Sequence, residues 1–211
     1  MLRSVLYVFL LREPNVAYIR NYLTFQSRKT LSYRERGMTR AESIPKGFTV
    51  DRNRVQLGSG EETWTRARRA LLTWRMFSTD FTRLCWPYKR IEQGVMFGVL
   101  AFHYGFWSLN AGRIVYVVDE EAPKRRYGFA FGTLGEHVLG GEERFLVEWL
   151  DDDTVWFERY AASRPRHWAA RYGYLWVRRL QRRFGRNAIA AMTDAVKTAV
   201  AVPAMAGEGD D

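Results

Sequence analysis

In the stretch "GTLGEHVLGGEERF" an imidazole and two carboxylates come close together in the chain: His137, Glu142 and Glu143. An imidazole titrates near neutrality, and a carboxylate beside it can orient or exchange its proton. His137 with Glu143 is therefore the pair best suited to general acid–base work. A second reading has His137 capping a solvated loop and Glu143 pairing with a nearby arginine, and both readings stay open. Alternation along the following strand puts Glu143 on the side of Phe145, Val147 and Trp149, at the rim of an apolar interior, with Glu142 and Arg144 on the other side. An inward carboxylate there must be paired or protonated.

A second group of polar side chains lies in "HYGFWSLNAGR". Read as the connection between two strands, this segment closes a pocket. Trp107 is then the lid, Asn110 a polar contact, Arg113 the holder of a carboxylate or phosphate, and His103 a third acid–base candidate. The alternative is that Asn110 and Gly112 make the turn while Trp107 plugs the core. Tyr127 and Thr133, on the strand that precedes His137, are further ligand-binding candidates. Ser163 or Arg164 lies just ahead of a long helix whose first N–H groups attract anions, and Arg164, Arg166 and Arg171 add charge there, either for a phosphate or carboxylate or as a solvated basic end. Cys85, in an apolar strand, reads as core. No Ser/His/Asp order, glycine-rich phosphate loop or metal-spaced histidine pair is present, so neither cofactor nor metal is expected.

The elements that must position these residues follow from periodicity and punctuation. Pro14 opens a helix to about Gln26, with Ile19, Tyr22 and Leu23 on one side. A connecting loop leads to a strand, "TVDRNRVQLG", and then Ser59 and Glu62 form a capping box for a helix ending near Met76. Strand signals follow in series: "FTRLCWPY", "GVMFGVLAFHYG", "GRIVYVVDEE", "RRYGFAFGT", "EERFLVEWL" and, after a tight turn at Asp151–Asp153, "TVWFERYAAS". In the strand that begins at Arg126, Gly128, Ala130 and Gly132 share a face, so a helix or a ligand must lie close against it. A helix from about His167 to Ala191 closes the order. Tyr172, Trp176, Leu180 and Phe184 form its apolar stripe, and Arg171, Arg178, Arg182 and Arg186 mark the opposite face.

The bulk properties fit one folded domain. The chain has 211 residues, 47% hydrophobic and 15% aromatic, enough to bury a core without disulfides. Its single cysteine excludes an internal disulfide and points to a cytoplasmic setting. No apolar run is long enough for a membrane helix. "MLRSVLYVFLL" lacks a small-residue cleavage site and reads as an initial strand or helix, or as a start codon placed too early. The net charge of +10 is unevenly spread: Arg164 to Arg186 holds eight arginines and no acid. Nucleic acid or anionic lipid is the partner that such an arginine face would take, through Arg171, Arg178, Arg182 and Arg186.

The expected fold class is thus α+β: a curved antiparallel sheet of about seven strands wrapped on a long C-terminal helix, with an extra N-terminal helix. Three segments are expected: 1–30 as an N-terminal segment and helix, 31–191 as the α+β domain and 192–211 as a flexible tail. The element order resembles the helix-grip architecture of the START-like superfamily, which includes the birch pollen allergen and polyketide cyclases. In those proteins the gap between sheet and helix is an apolar cavity. The words "FWSLNAGRIVYVVDE", "GFAFGTLGEHVLGGEERFLVEW", "SRPRHWAARYGY" and "RRLQRRFGR" are similar to a bacterial and plant family known as a domain of unknown function. "FLLREPNVAYIRNYL" and "YRERGMTR" extend that similarity from about Phe9 to Asn187. Tyr33-Arg34-Glu35-Arg36-Gly37 replaces the family's Tyr-Pro-Glu-Val-Gly, and Leu134-Gly135-Glu136-His137 replaces Leu-Pro-Gly-His, keeping the histidine. The family brings no reaction with it. Element order, the small-residue strand face and the aromatic surplus lead to the expectation of a small apolar or amphipathic ligand held between sheet and helix. The rival expectation is the basic interaction module.

Overall fold

In the computed structural model, the described residues are 9–85, 90–122, 124–135, 137, 139–166 and 172–198. Elements run in the order β1 (Phe9–Leu10), α1 (Val16–Ser27), α2 (Met38–Ala41), β2 (Thr49–Ser59), α3 (Gly60–Leu72), a 3₁₀ turn (Arg75–Phe77), β3 (Thr82–Cys85), β4 (Met96–His103), β5 (Phe106–Glu120), β6 (Arg125–Thr133), β7 (Leu139–Trp149), β8 (Thr154–Pro165) and α4 (Tyr174–Thr198). The sheet is antiparallel, in the order β2-β8-β7-β6-β5-β4-β3, with β1 added against β5. Bulges in β2 (Gln56/Gly58) and β5 (Ile114/Tyr116) strengthen the twist, and α4 lies in the concavity. This is the helix-grip arrangement.

Two helices cover the concave face. Trp64, Ala67 and Leu71 of α3, and Ala188, Met192 and Val196 of α4, meet Phe129, Phe145, Val147 and Phe157 of the sheet in the main core. Ser59 is the N-cap of α3, but its side chain makes no capping bond; its carbonyl takes the Thr63 hydroxyl instead. Ser59 also pairs with Thr154 at the end of β2, and the expected capping box is not formed. The helix stops at Leu72, short of Met76, because Trp74 adopts a left-handed backbone (φ 58°) to enter the 3₁₀ turn.

The convex face belongs to the N-terminal segment. Ile19 and Tyr22 of α1 pack on Cys85, Leu100, Leu109 and Ala111. The small-residue face of β6 is turned this way and not toward α4. A Cβ on Gly132 would stand 2.4 Å from the Tyr33 hydroxyl and 2.9 Å from Leu31. At Gly132 the close neighbour is therefore the chain at Leu31–Tyr33, and at Gly128 it is the β7 chain at Phe145–Leu146, in neither case a helix or a ligand.

"HYGFWSLNAGR" is not a long connection. Tyr104 and Gly105, both with positive φ (51° and 81°), make a two-residue hairpin turn, and β5 begins at Phe106. Ser108, Asn110 and Gly112 read as loop residues by type, yet each sits in register opposite a β4 residue. Helix α4 runs past Ala191 to Thr198, with Met192 and Val196 buried. Its buried residues are Arg178, Gly185, Ala188, Met192 and Val196; of the expected stripe Leu180 and Phe184 face the sheet, but rotation of the first turns leaves Trp176 55% exposed and Tyr172 88%. The rotation follows from Arg178, whose guanidinium turns inward to Asp51 of β2.

Candidate functional site

The concave face is filled at one end and open at the other. Where α3 and the C-terminal half of α4 cover it, the sheet presents Phe129, Phe145 and Phe157. Opposite the first half of α4 the inward positions are small: Ala101, Ser108, Gly141, Ala161 and Ser163. Side chains of that size cannot reach a helix held off by the aromatic end. A pocket of about 240 Å³ remains, roofed by Val177, Leu180, Gln181 and Phe184 and flanked by Phe77, Phe81, Val99 and Phe131.

Its polar groups come from adjacent strands and the helix. Glu143 (β7) and Arg159 (β8) form an ion pair on the pocket wall, and Arg159 also reaches Asn53 Oδ1 at 3.3 Å. Burial pushes the Glu143 carboxyl above its usual range, against the pull of Arg159. Gly185 of α4 makes room for this group, since a Cβ there would meet Asn53 Oδ1 at 2.5 Å. Gln181 donates to Ser163 Oγ at 2.8 Å and accepts from Arg178 at 2.8 Å, and Arg178 continues to Asp51. Burial acts to raise Asp51, but the Arg178 guanidinium outweighs it and holds the carboxyl below its ordinary range.

His137 lies in the same wall. Its Nδ1 lies 3.0 Å from both the Leu139 N–H and the Leu139 carbonyl, and burial, aided by the charge of Arg166 and opposed by the Leu139 contact, lowers its pKa to about 4. The ring is thus neutral at pH 7, and its hydrogen bond goes to the backbone and not to Glu143. His103 stands across the pocket, Nε2 at 3.0 Å from Ser108 Oγ, with burial and then Arg183 lowering its pKa. Asn110 donates to the same hydroxyl at 3.3 Å. Thr133 Oγ1 accepts the Gly141 N–H at 3.0 Å and meets Ser32 Oγ at 2.5 Å.

Five of the residues singled out in the sequence, His103, Asn110, Thr133, His137 and Glu143, therefore share one pocket. Four others lie elsewhere. Trp107 stacks beside Phe102 (4.9 Å) and joins the α1 cluster, so it is no lid. Arg113 donates to the Ser27 carbonyl at 2.8 Å, satisfying the C-terminal end of α1 rather than an anion. Tyr127 is buried in the filled end, under Arg68. Arg164 is a β8 residue that pairs with Glu35 and covers Phe48, so it does not stand at a helix start. Of the arginine face, Arg182 and Arg186 are exposed, Arg178 is buried, and Arg171 lies outside the described residues.

Sequence reasoning missed Arg159, Gln181 and the small wall residue Ala161, and it set Ser163 at a helix start when it stands in the pocket wall on β8. Arg159 had a signal: Glu158 and Arg159 are adjacent in an apolar strand, so one must face in, where inward Glu143 needs a partner. The pocket wall is also braced from behind. Glu142, on the convex side, accepts from Tyr33 Oη (2.7 Å), Gly37 N (2.8 Å), Thr39 N (3.0 Å) and Thr39 Oγ1 (2.5 Å). Arg144 bonds the Thr39 carbonyl, Glu42 and Glu158. Among the described residues no His/Cys/Asp/Glu group has the geometry to hold a metal, and no helix is long and apolar enough to cross a membrane.

Residues 32–191 match a family described as Domain of unknown function (DUF1990), and the chain belongs to that family. It is 31% identical over 195 residues to a UPF0548 protein of Dictyostelium discoideum, across 84% of this chain and 90% of that one. It is 34% identical over 192 residues to a UPF0548 protein of Deinococcus radiodurans, across 85% and 94%. Among solved structures, a hypothetical protein from Helicobacter pylori superposes with a TM-score of 0.49 at 11% identity, over 78% of this chain and 94% of its own. A norcoclaurine synthase point mutant from Thalictrum, in complex with a transition-state analogue, gives 0.45 at 11%, over 72% and 94%.

Proposed function

We propose that this DUF1990 family member binds a small apolar or amphipathic molecule between the first half of α4 and the concave face of its sheet. The observation that carries the reading is the uneven filling of that face. Small residues at Ala101, Ser108, Gly141 and Ala161 leave open the space that aromatic rings fill at the other end. A dry, mostly apolar pocket with a few convergent polar groups is the usual form of a small-molecule site. The ligand's hydrocarbon lies along Phe81, Val99, Phe131 and Leu180. Its polar end meets Arg159, Gln181 and Ser163, whose remaining hydrogen-bonding capacity faces the pocket. His137, neutral at pH 7, offers a hydrogen bond at the same wall.

The test is titration with anilinonaphthalene sulfonate, an apolar fluorophore carrying one anionic group, against the wild type and two variants that fill the pocket from opposite sides, Ala161→Phe and Leu180→Trp. One saturable site, lost in both variants while their cooperative unfolding persists, is the expected result. Equal binding by all three proteins overturns the reading.

A further inference from the structure

Two exposed aromatic groups meet at the edge of the pocket. His103 and Val177 line it, and the next residues outward, Tyr104 on the β4–β5 turn and Trp176 on α4, touch ring to ring at 5.0 Å. Both are about half exposed, at 53% and 55%. On the hairpin side the apolar surface continues into Phe102 and Phe106, and on the helix side into Leu175, 71% exposed. The outward line of α4 then turns basic. Arg179 lies over the Trp176 ring at 5.2 Å, and Arg182 and Arg186 follow at helical spacing, all three exposed. Asp51 neutralises Arg178 and Asp80 neutralises Arg183, but Arg179, Arg182 and Arg186 make no ion pair among the described residues. Between Arg164 and Arg186 there is no acidic residue to oppose them.

From this geometry we infer that the edge of the pocket docks on an anionic bilayer surface, with Tyr104 and Trp176 in the headgroup boundary and Arg179, Arg182 and Arg186 on lipid phosphates or carboxylates. Aromatic rings with a polar edge favour that boundary, and arginines near it add attraction to negative lipid. The surface is a hairpin tip beside a helix, two projections that a fluid interface accepts without a complementary shape. Resting on the pocket reading, the inference also gives that pocket a source: an apolar molecule moves between bilayer and protein beside the contact, without crossing water.

The experiment is sedimentation of the full chain with vesicles of phosphatidylcholine alone or with about 30% phosphatidylserine. Binding is expected only to the mixed vesicles, and about tenfold weaker when salt rises from about 0.1 M to about 0.5 M. The Tyr104→Ser/Trp176→Ser and Arg179→Gln/Arg182→Gln/Arg186→Gln variants should each lose it about tenfold while unfolding like the wild type. Ala161→Phe should sediment normally although it fails to take the fluorophore, so failure of the pocket and failure of the surface give different patterns. No binding to mixed vesicles overturns the inference. So does concentration-dependent dimerisation that the serine variant abolishes, which would mark the patch as a contact between copies.

Discussion

The pocket wall holds two opposite electrostatic problems. Glu143 and Arg159 answer theirs by pairing: Arg159 is 2% exposed, and removing either partner strands a buried charge. Arg159→Met is therefore expected to cost about 3 kcal/mol in chemical denaturation, while the double variant Glu143→Leu/Arg159→Met recovers most of it. Recovery by the double variant but not by either single change would show that the pair is kept for recognition and not for stability. His137 answers its problem by staying neutral. Its folded pKa of about 4 lies below the ordinary 6.5, so between these values the unfolded chain takes a proton that the folded chain refuses. Stability should be full above about pH 6.5, fall by about 3 kcal/mol as pH drops through about 4, and lose nothing further from this group well below it. His137→Asn retains an acceptor for the Leu139 N–H and should remove that part of the slope, as seen by denaturation midpoints from pH 7 to 4. An unchanged slope would mean the ring titrates normally. That Glu143 needed a partner was legible from alternation alone; that His137 is held neutral was not, because its burial comes from strands far away in the chain.

Among the elements, α4 contributes most to both core and pocket. Its last two turns seat Met192 and Val196 against the aromatic end of the sheet, and this keeps the first half of the helix at the height where the pocket forms. Met192 is fully buried, so Met192→Ala should cost about 2–5 kcal/mol. A chain ended after Ala191 should lose at least as much, measured by thermal unfolding. Little change in either would show that the helix beyond Ala191 is dispensable. Although α2 lies inside a segment that reads as a connecting loop, the order of the long strands and of the three long helices was readable from apolar alternation, proline stops and the turn at Asp151–Asp153. Their rotation and exact junctions were not. The step of four from Tyr172 to Phe184 is a true helical stripe, but the face that packs is chosen by the Arg178–Asp51 pair and the glycine at Gly185, which depend on β2. In the same way Ser108, Asn110 and Gly112 look like a loop by residue type. They form a strand because β4 pairs along the whole stretch, with β1 on the other side at Ser108 and β6 from Gly112, and the real turn needs only Tyr104 and Gly105.

For the whole molecule, the division of labour is between the two faces of one sheet. The convex face is sealed by the N-terminal segment through Glu142 and Arg144, each nearly inaccessible and bonded to partners between Tyr33 and Glu42. The concave face is sealed at one end and open at the other. The pattern of small and polar inward residues that leaves it open could be counted in each strand, but alignment of the strands into a common wall required the register. The account stands on the claim that this open end is where a ligand sits. The most direct measurement is a methyl NMR titration with anilinonaphthalene sulfonate, following assigned signals on both sides of the gap. The account predicts saturating shifts concentrated at Val99, Ala101, Ala161, Val177 and Leu180, with Leu109 and Leu146 of the convex face unmoved. Shifts confined to exposed Leu175 and its surroundings, with the wall methyls silent, would contradict it.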